Sequence, residues 1–417
     1  MRGWGSKALL WLDRAGRDRP WTCALVLFAL AFGVRVAAIL LLRTYRNALS
    51  PEPILVAKSL VREHLFGNPF GVPTGPTAVV PPGPPFLLSL LYSWFGDTTA
   101  TKVARQVLSA AACSVEYALL PALAAAAGLR RAVGILAGGA GALVPLFFWI
   151  ETNGSWESSY IAAMLVAMLI LSARLWSGVR VSPFVYGAAW GFVFLFAPGF
   201  LFVFLALLGV WWWRSRNTRA VLTAGALAFA VVLPWIVRNY LQLGSVFWMR
   251  DGFGIELQLS NNPIARPMYY DAQAFFPDHP YDNRAEALRL GRIGEVEYFH
   301  QRGVLGQQWI RSHPRRFAEL TAARAWYFWF PRFRRLSSTL LAAAVSLGGL
   351  VGLALAIRLK RRLAASLFGL VWLVYPLPYY LVLIDPRYRY PIYSQALLLI
   401  AFLVVSSFER WAPNHAA

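Results

Sequence analysis

The sequence predicts an all-α, multi-pass membrane protein with about ten spanning helices, and three observations carry that prediction. Hydrophobic residues make up 58% of the chain, well above the roughly 45–50% of an ordinary soluble domain. They gather into runs that approach the roughly 20 apolar residues needed to cross a hydrocarbon core. The loops between runs carry arginine or lysine at alternate positions, the pattern of loops facing the cytoplasm.

In chain order the expected spans are 21–42, 103–127, 132–150, 158–175, 183–197, 199–213, 219–239, 337–357, 363–383 and 389–407. Residues 183–213 form one apolar run interrupted at Ala197-Pro198-Gly199, which reads either as two short spans or as a broken helix. Residues 1–20 hold Arg2, Lys7, Arg14, Arg17 and Arg19 and are too polar for a cleavable signal peptide. With that end inside, the other inside loops hold Arg130-Arg131, Arg174 and Arg180, Arg214 to Arg219, and Arg358 to Arg362. Both termini are therefore expected in the cytoplasm. Two long outside segments remain, 43–102 and 240–336. The expected organisation is an N-terminal membrane module 1–239 containing the first of these, an outside region 240–336, and C-terminal membrane helices 337–417.

The net charge of +21 invites a nucleic-acid reading, but no basic run with interleaved aromatics forms a separate soluble module. The charge instead orients the chain and suits anionic lipid or lipid phosphate. Cys23 and Cys113 both fall in apolar runs, which argues against a disulfide framework or a thiolate metal site. His279, His300 and His313 lack metal-ligand spacing, so neither a metal nor another cofactor is expected.

In the first outside segment, Ser50-Pro51-Glu52-Pro53 opens a helix, because proline in the first turn removes only donors the helix does not use. Ile54, Leu55, Ala57, Leu60, Val61 and Leu65 then recur at helical spacing, giving one apolar face and a helix lying along the membrane surface. Glu52 stands in the first turn, where the helix dipole favours an ionised carboxylate. It reads as an ordinary helix-start charge or as a general base held at the membrane face. Residues 73–85, PTGPTAVVPPGPP, contain six prolines. Such a path is stiff and needs few backbone partners, and it leads into FLLSLLYSWFG (86–96), too short to span.

This loop resembles the first outside loop of GT-C membrane glycosyltransferases. The likeness is to bacterial relatives of the protein O-mannosyltransferases and aminoarabinose transferases. Glu52 is followed by IxxAKSL, then by FGNPFGVPTGPTAVVPPGPP. Three later stretches also resemble family motifs, in the same order: PWIVRNY (234–240) with Asn261-Asn262-Pro263, WIRSHP (309–314) and RYRYPI (387–392). Many relatives carry an Asp or an Asp-Glu pair in the first loop, and at the matching place this chain has only Glu52.

The resemblance implies transfer of a sugar from a polyisoprenyl-phosphate donor to an acceptor, with inversion, at the extracytoplasmic face of a bacterial plasma membrane. It casts Glu52 as the catalytic base. Arg238, Arg387 and Arg389 lie at outside helix ends, where they either hold the donor phosphate or snorkel to the interface. Glu151, in a short outside loop with Glu157, is a candidate for orienting acceptor or sugar, and Thr74 and Thr77 offer hydroxyls. Arg35, inside the first span, is a further polar candidate. Tyr269-Tyr270, Phe275-Phe276-Pro277, Asp278 and Asp282 give the second outside segment a sugar-binding character. The acceptor, whether lipid, glycan or protein, is not specified. A transporter or flippase of lipid-linked sugars is the rival reading, but it predicts internal repeats or paired broken helices, and only one broken run is present. A non-catalytic scaffold for envelope assembly is the third.

Overall fold

In a computed structural model, residues 4–47, 49–144, 146–154, 156–272 and 278–411 are described. Arg2 and the Phe275–Pro277 stretch lie outside them. The described residues are helical with no strand, joined by turns and short loops. In order the helices are α1 (Trp4–Asp18), α2 (Pro20–Leu41), α3 (Glu52–Glu63), α4 (Gly83–Phe95), α5 (Thr99–Ala126), α6 (Arg131–Leu143), α7 (Phe148–Asn153) and α8 (Ser158–Trp176). Next come α9 (Pro183–Phe194), α10 (Leu201–Ser215), α11 (Thr218–Leu243), α12 (Phe253–Ser260), α13 (Tyr269–Ala272), α14 (Arg284–Ile293), α15 (Glu295–Ser312) and α16 (Pro314–Trp329). The chain closes with α17 (Leu336–Arg358), α18 (Arg362–Val374) and α19 (Tyr393–Trp411).

Eight helical segments among the described residues are long and apolar enough to cross a membrane. Their outward faces leave Leu25, Leu41, Leu222, Phe229 and Leu340 exposed, as lipid-facing side chains are. The chain is thus an integral, multi-pass membrane protein. Two further apolar helices, α6 and α9, have 13 and 12 residues, about 20 Å of rise against a core of roughly 30 Å. The expected count of about ten spans rests on these two. The run 132–150 does not stay helical: Val144, which precedes a proline, is already extended (φ −84°, ψ 115°), and the chain resumes as α7. The run 183–213 resolves into separate helices, α9 and α10, with a tight turn at Pro198–Phe200 between them.

Small residues set the helix spacing. A Cβ on Gly134 would lie 2.4 Å from the Leu120 carbonyl, and one on Gly141 would lie 2.3 Å from the Tyr117 ring, so α6 presses directly on α5. Gly187 of α9 meets the Ala224 carbonyl of α11 in the same way, at 2.2 Å. Close approach of this kind is the usual source of helix packing where lipid removes the hydrophobic drive.

Outside the bundle, α3 and α4 pack on each other through Ile54, Ala57, Leu88 and Tyr92. Phe86, Leu90 and Trp94 remain exposed on the far side of α4, which leaves that 13-residue helix an apolar outer face but no length to span. The second outside segment folds into α12 to α16.

Candidate functional site

The proline-rich loop is anchored on three sides. Its stem is a short antiparallel contact between Gly67 and Pro76. There the Asn68 amide donates to the Gly75 carbonyl at 3.1 Å, and the Asn68 side-chain oxygen accepts from the amides of Thr74 and Gly75. Prolines contribute no N–H, so the groups that need partners are concentrated at 77–79. Arg238 donates to the Thr77 carbonyl at 2.7 Å and to the Phe66 carbonyl at 2.8 Å. The Asp251 amide donates to the Ala78 carbonyl at 3.1 Å, and Arg250 Nε to the Val79 carbonyl at 2.8 Å. Glu295, at the start of α15, accepts from the Thr77 hydroxyl and from the Ala78 amide at 2.6 Å. At the far end, the Gly83 amide donates to the Leu195 carbonyl at 2.8 Å. The loop is thus held by α9, α11 and the second outside segment together.

Glu52 begins the helix that this loop follows. Its side chain is half-buried, and burial raises its pKa. Its own backbone N–H opposes the rise, as do Arg387 and Arg250, while Asp282 adds to it. The sequence led us to expect the helix start to dominate; desolvation outweighs it. The electrostatic neighbours of Glu52 come from three distant segments, and hydrogen bonds to backbone carbonyls tie these segments in place. Tyr281 Oη donates to the Ser50 carbonyl at 3.2 Å. Residues 267–269 pair with Ile384 through reciprocal amide–carbonyl bonds of 3.0 and 2.9 Å. The Tyr269 phenol, raised by burial and then by Asp282, Asp385 and Glu52, with Arg387 opposing, belongs to the same constellation.

Arg387 is the predicted arginine that the structure brings to Glu52. Its guanidinium lies 3.7 Å from the centre of the Trp156 ring, and its Nε is 3.6 Å from Asp385. With 18% of its side chain exposed, it keeps an open edge. Arg389, two residues on, is buried and donates at 2.9 Å to the carbonyl of Trp329, the last residue of α16, where a cation meets the negative end of a helix. Arg238 is committed to the proline loop and stacks near Phe66 and Trp235.

Glu151 is placed inside the bundle. It is 1% exposed, pairs with Arg35 at 2.8 Å and accepts from Tyr117 at 2.5 Å and Tyr390 at 3.1 Å. Glu157 is the N-cap residue of α8, its carbonyl accepting from Ile161. The Thr77 hydroxyl is engaged by Glu295, and Thr74 is buried beneath Gly291 of α14. The Phe275-Phe276-Pro277 stretch expected at this surface falls outside the described residues. Among those residues, no group of three or more His, Cys, Asp and Glu side chains could hold a metal ion.

Sequence reasoning missed Arg250 and Trp156. Arg250-Asp251, a charged pair a few residues after α11 and next to Trp248-Met249, was the available signal for the first. Nothing in the sequence marked Trp156 apart from its position beside Glu157.

The described residues thus form a helical membrane bundle in which Glu52, at the start of α3, lies near cations from later in the chain. Solved structures of the archaeal oligosaccharyltransferase AglB from Archaeoglobus fulgidus are among those it resembles, and with them it shares a GT-C-type fold. One, in complex with an inhibitory peptide and a dolichol-phosphate, matches at a TM-score of 0.58 and 17% identity over 95% of this chain. Another, tethered to an acceptor peptide containing the NVT sequon, matches at 0.57 and 16%, again over 95%. The chain spans about half the length of these structures, 51% and 50%. No family model and no curated protein sequence matches it.

Proposed function

We propose that the protein is a GT-C-type glycosyltransferase that uses a polyisoprenyl-phosphate sugar as donor and acts at the extracytoplasmic face. The observation that carries this reading is the Glu52 carboxyl, at the start of α3, lying within the fields of Arg387 and of Arg250, which is itself bonded to the anchored loop at Val79. Glu52 takes the proton from an acceptor hydroxyl. The freed oxygen attacks the anomeric carbon from the side opposite the phosphate. The bond from that carbon to the phosphate oxygen breaks, and polyprenyl phosphate leaves with the bonding electrons. Inversion follows from this single displacement.

The raised pKa of Glu52 suits a base, since proton abstraction is most efficient when the base's pKa approaches the working pH. The leaving phosphate gathers negative charge as the bond breaks. Arg387, oriented by Trp156 and Asp385, and Arg250, fixed through its Nε, are the cations set to receive it. Arg238 and Thr77 act through the loop as positioning residues. The similarity to a structure holding dolichol-phosphate supports a lipid-linked donor. A peptide acceptor is one candidate among lipid, glycan and protein.

The test is a panel of polyprenyl-phosphate sugars offered to the purified full chain in lipid nanodiscs, with envelope extract as acceptor. Wild type is expected to consume a donor, and Glu52→Gln to consume it roughly 10²–10⁴ times more slowly while eluting and melting like wild type. Full activity in the variant removes Glu52 as base. Failure of wild type to bind any donor removes the transferase reading.

A further inference from the structure

The chain also holds a cavity far from Glu52. Glu52 follows the end of α2, while the cavity is lined by Asp13 and Arg17, which precede its start. The 22 residues of α2 separate the two by about 33 Å at 1.5 Å per residue, so they lie at opposite ends of the bundle. Arg130 and Arg131 enter from the turn between α5 and α6, and Arg361 from the turn between α17 and α18. Among the described residues of this lining, Arg17, Arg131 and Arg361 thus bring positive charge beside Asp13. Asp13 is only partly neutralised by Arg17, at 3.7 Å, and its other oxygen faces the Ala132 amide at 3.4 Å.

Phe402 and Val405 of α19 add apolar side chains to the same lining, next to Ser406. A lining that joins arginines to apolar side chains fits an amphiphile better than a free anion. The depth agrees: Trp11 and Trp21, on either side of the junction between α1 and α2, are 68% and 87% exposed, the placement of tryptophan at a membrane–water boundary. Helix α1 packs against α6 on one flank and leaves Trp11 on the other, as a helix lying in the interface does.

We propose that this cavity binds the phosphate of an anionic phospholipid headgroup, with an acyl chain along α19. The lipid cross-links three otherwise separate segments: the α1–α2 junction, the α5–α6 turn and the α17–α18 turn. It belongs to the leaflet opposite the Glu52 site and is independent of the sugar donor.

The experiment is native mass spectrometry of the full chain released from mixed phosphatidylglycerol and phosphatidylcholine nanodiscs. Wild type is expected to retain phosphatidylglycerol over phosphatidylcholine, and Arg131→Gln and Arg361→Gln to lose about fivefold in that preference each. Equal retention of the two lipids by wild type, or unchanged preference in both variants, overturns the proposal. If a variant fails to fold, raising the salt concentration on wild type serves instead: the preference must fall, and a preference indifferent to salt overturns the proposal. Displacement of the lipid by millimolar inorganic phosphate would identify a free-phosphate site and overturn the lipid assignment.

Discussion

The Arg387 guanidinium rests 3.7 Å from the centre of the Trp156 ring, and this pairing joins the loop before α8 to the turn before α19 beside Glu52. A cation on an aromatic face gains about 0.5–2 kcal/mol. Trp156→Ala is therefore expected to raise the donor KM between about twofold and thirtyfold, with little change in melting temperature. Trp156→Phe should recover part of the loss. A donor KM that stays put in Trp156→Ala would show that Arg387 needs no such platform.

As the proposed base, Glu52 is expected to set the acid limb of the rate profile. Burial raises its pKa while Arg387, and after it Arg250, hold it back. A base works only when deprotonated, so kcat/KM falls as pH drops through its pKa. Arg387→Met removes a depressing charge, which moves the acid limb to higher pH. Arg250→Met moves it the same way by less. Glu52→Gln abolishes the limb and lowers the rate by roughly 10²–10⁴. Rate profiles of the two arginine variants that overlay on wild type would detach these cations from Glu52.

The loop anchor is expected to respond to pH as well. Burial pushes the Glu295 carboxyl up to about 7, against the hydrogen bonds from Thr77 and Ala78, and pushes Asp251 up to about 7 too. Both stand above ordinary carboxylate values near 4, so the folded state binds more protons than the unfolded one in that interval. Their contribution to stability is complete below about pH 4 and is lost as pH rises through about 7. Amide exchange in 66–80 should accordingly quicken between pH 5 and 8, beyond its intrinsic pH dependence. Glu295→Ala leaves the Thr77 hydroxyl and the Ala78 amide without their acceptor and should cost about 2–4 kcal/mol. Exchange that follows intrinsic chemistry alone would separate Glu295 from the loop's stability.

Arg35 and Glu151 form a buried pair between α2 and α7, completed by Tyr117 and Tyr390. Removing one partner strands the other charge in the bundle, so Arg35→Leu is expected to cost about 3–5 kcal/mol. Arg35→Leu with Glu151→Leu should cost less than Arg35→Leu alone. Thermal melts in detergent decide it: a double variant no more stable than the single one would rule out stranded charge as the cause.

The spans were legible because hydropathy and the arginine pattern report on lipid and on loops, and both act locally. Val144 and Pro376 interrupted two of the expected runs: one ends before a proline, and the other leaves α18 for a tight turn at Leu377–Leu381. Glu52 was legible because Pro51 and Pro53 mark a helix start. The fate of the arginines was not. Arg238, Arg387 and Arg389 all read as cations at outside helix ends, yet Arg238 meets the carbonyls of Phe66 and Thr77, Arg389 meets that of Trp329, and Arg387 keeps an open edge. Which carbonyl a side chain meets is decided by tertiary packing, and helical periodicity carries no record of it. Glu151 shows the same limit: its loop position suggested the surface, and its partners on α2 and α5 draw it inside.

The bond between Thr77 and Glu295 spans 218 positions of chain, and translation runs in one direction. At roughly 5–20 residues per second, Glu295 leaves the ribosome about ten to forty seconds after Thr77 has been made. Through that interval the loop beside Glu52 has its own stem but lacks its clasp. The early helices of the nascent chain thus exist for a period before the loop's last anchor is made, so this anchor is completed only by the later half of the chain.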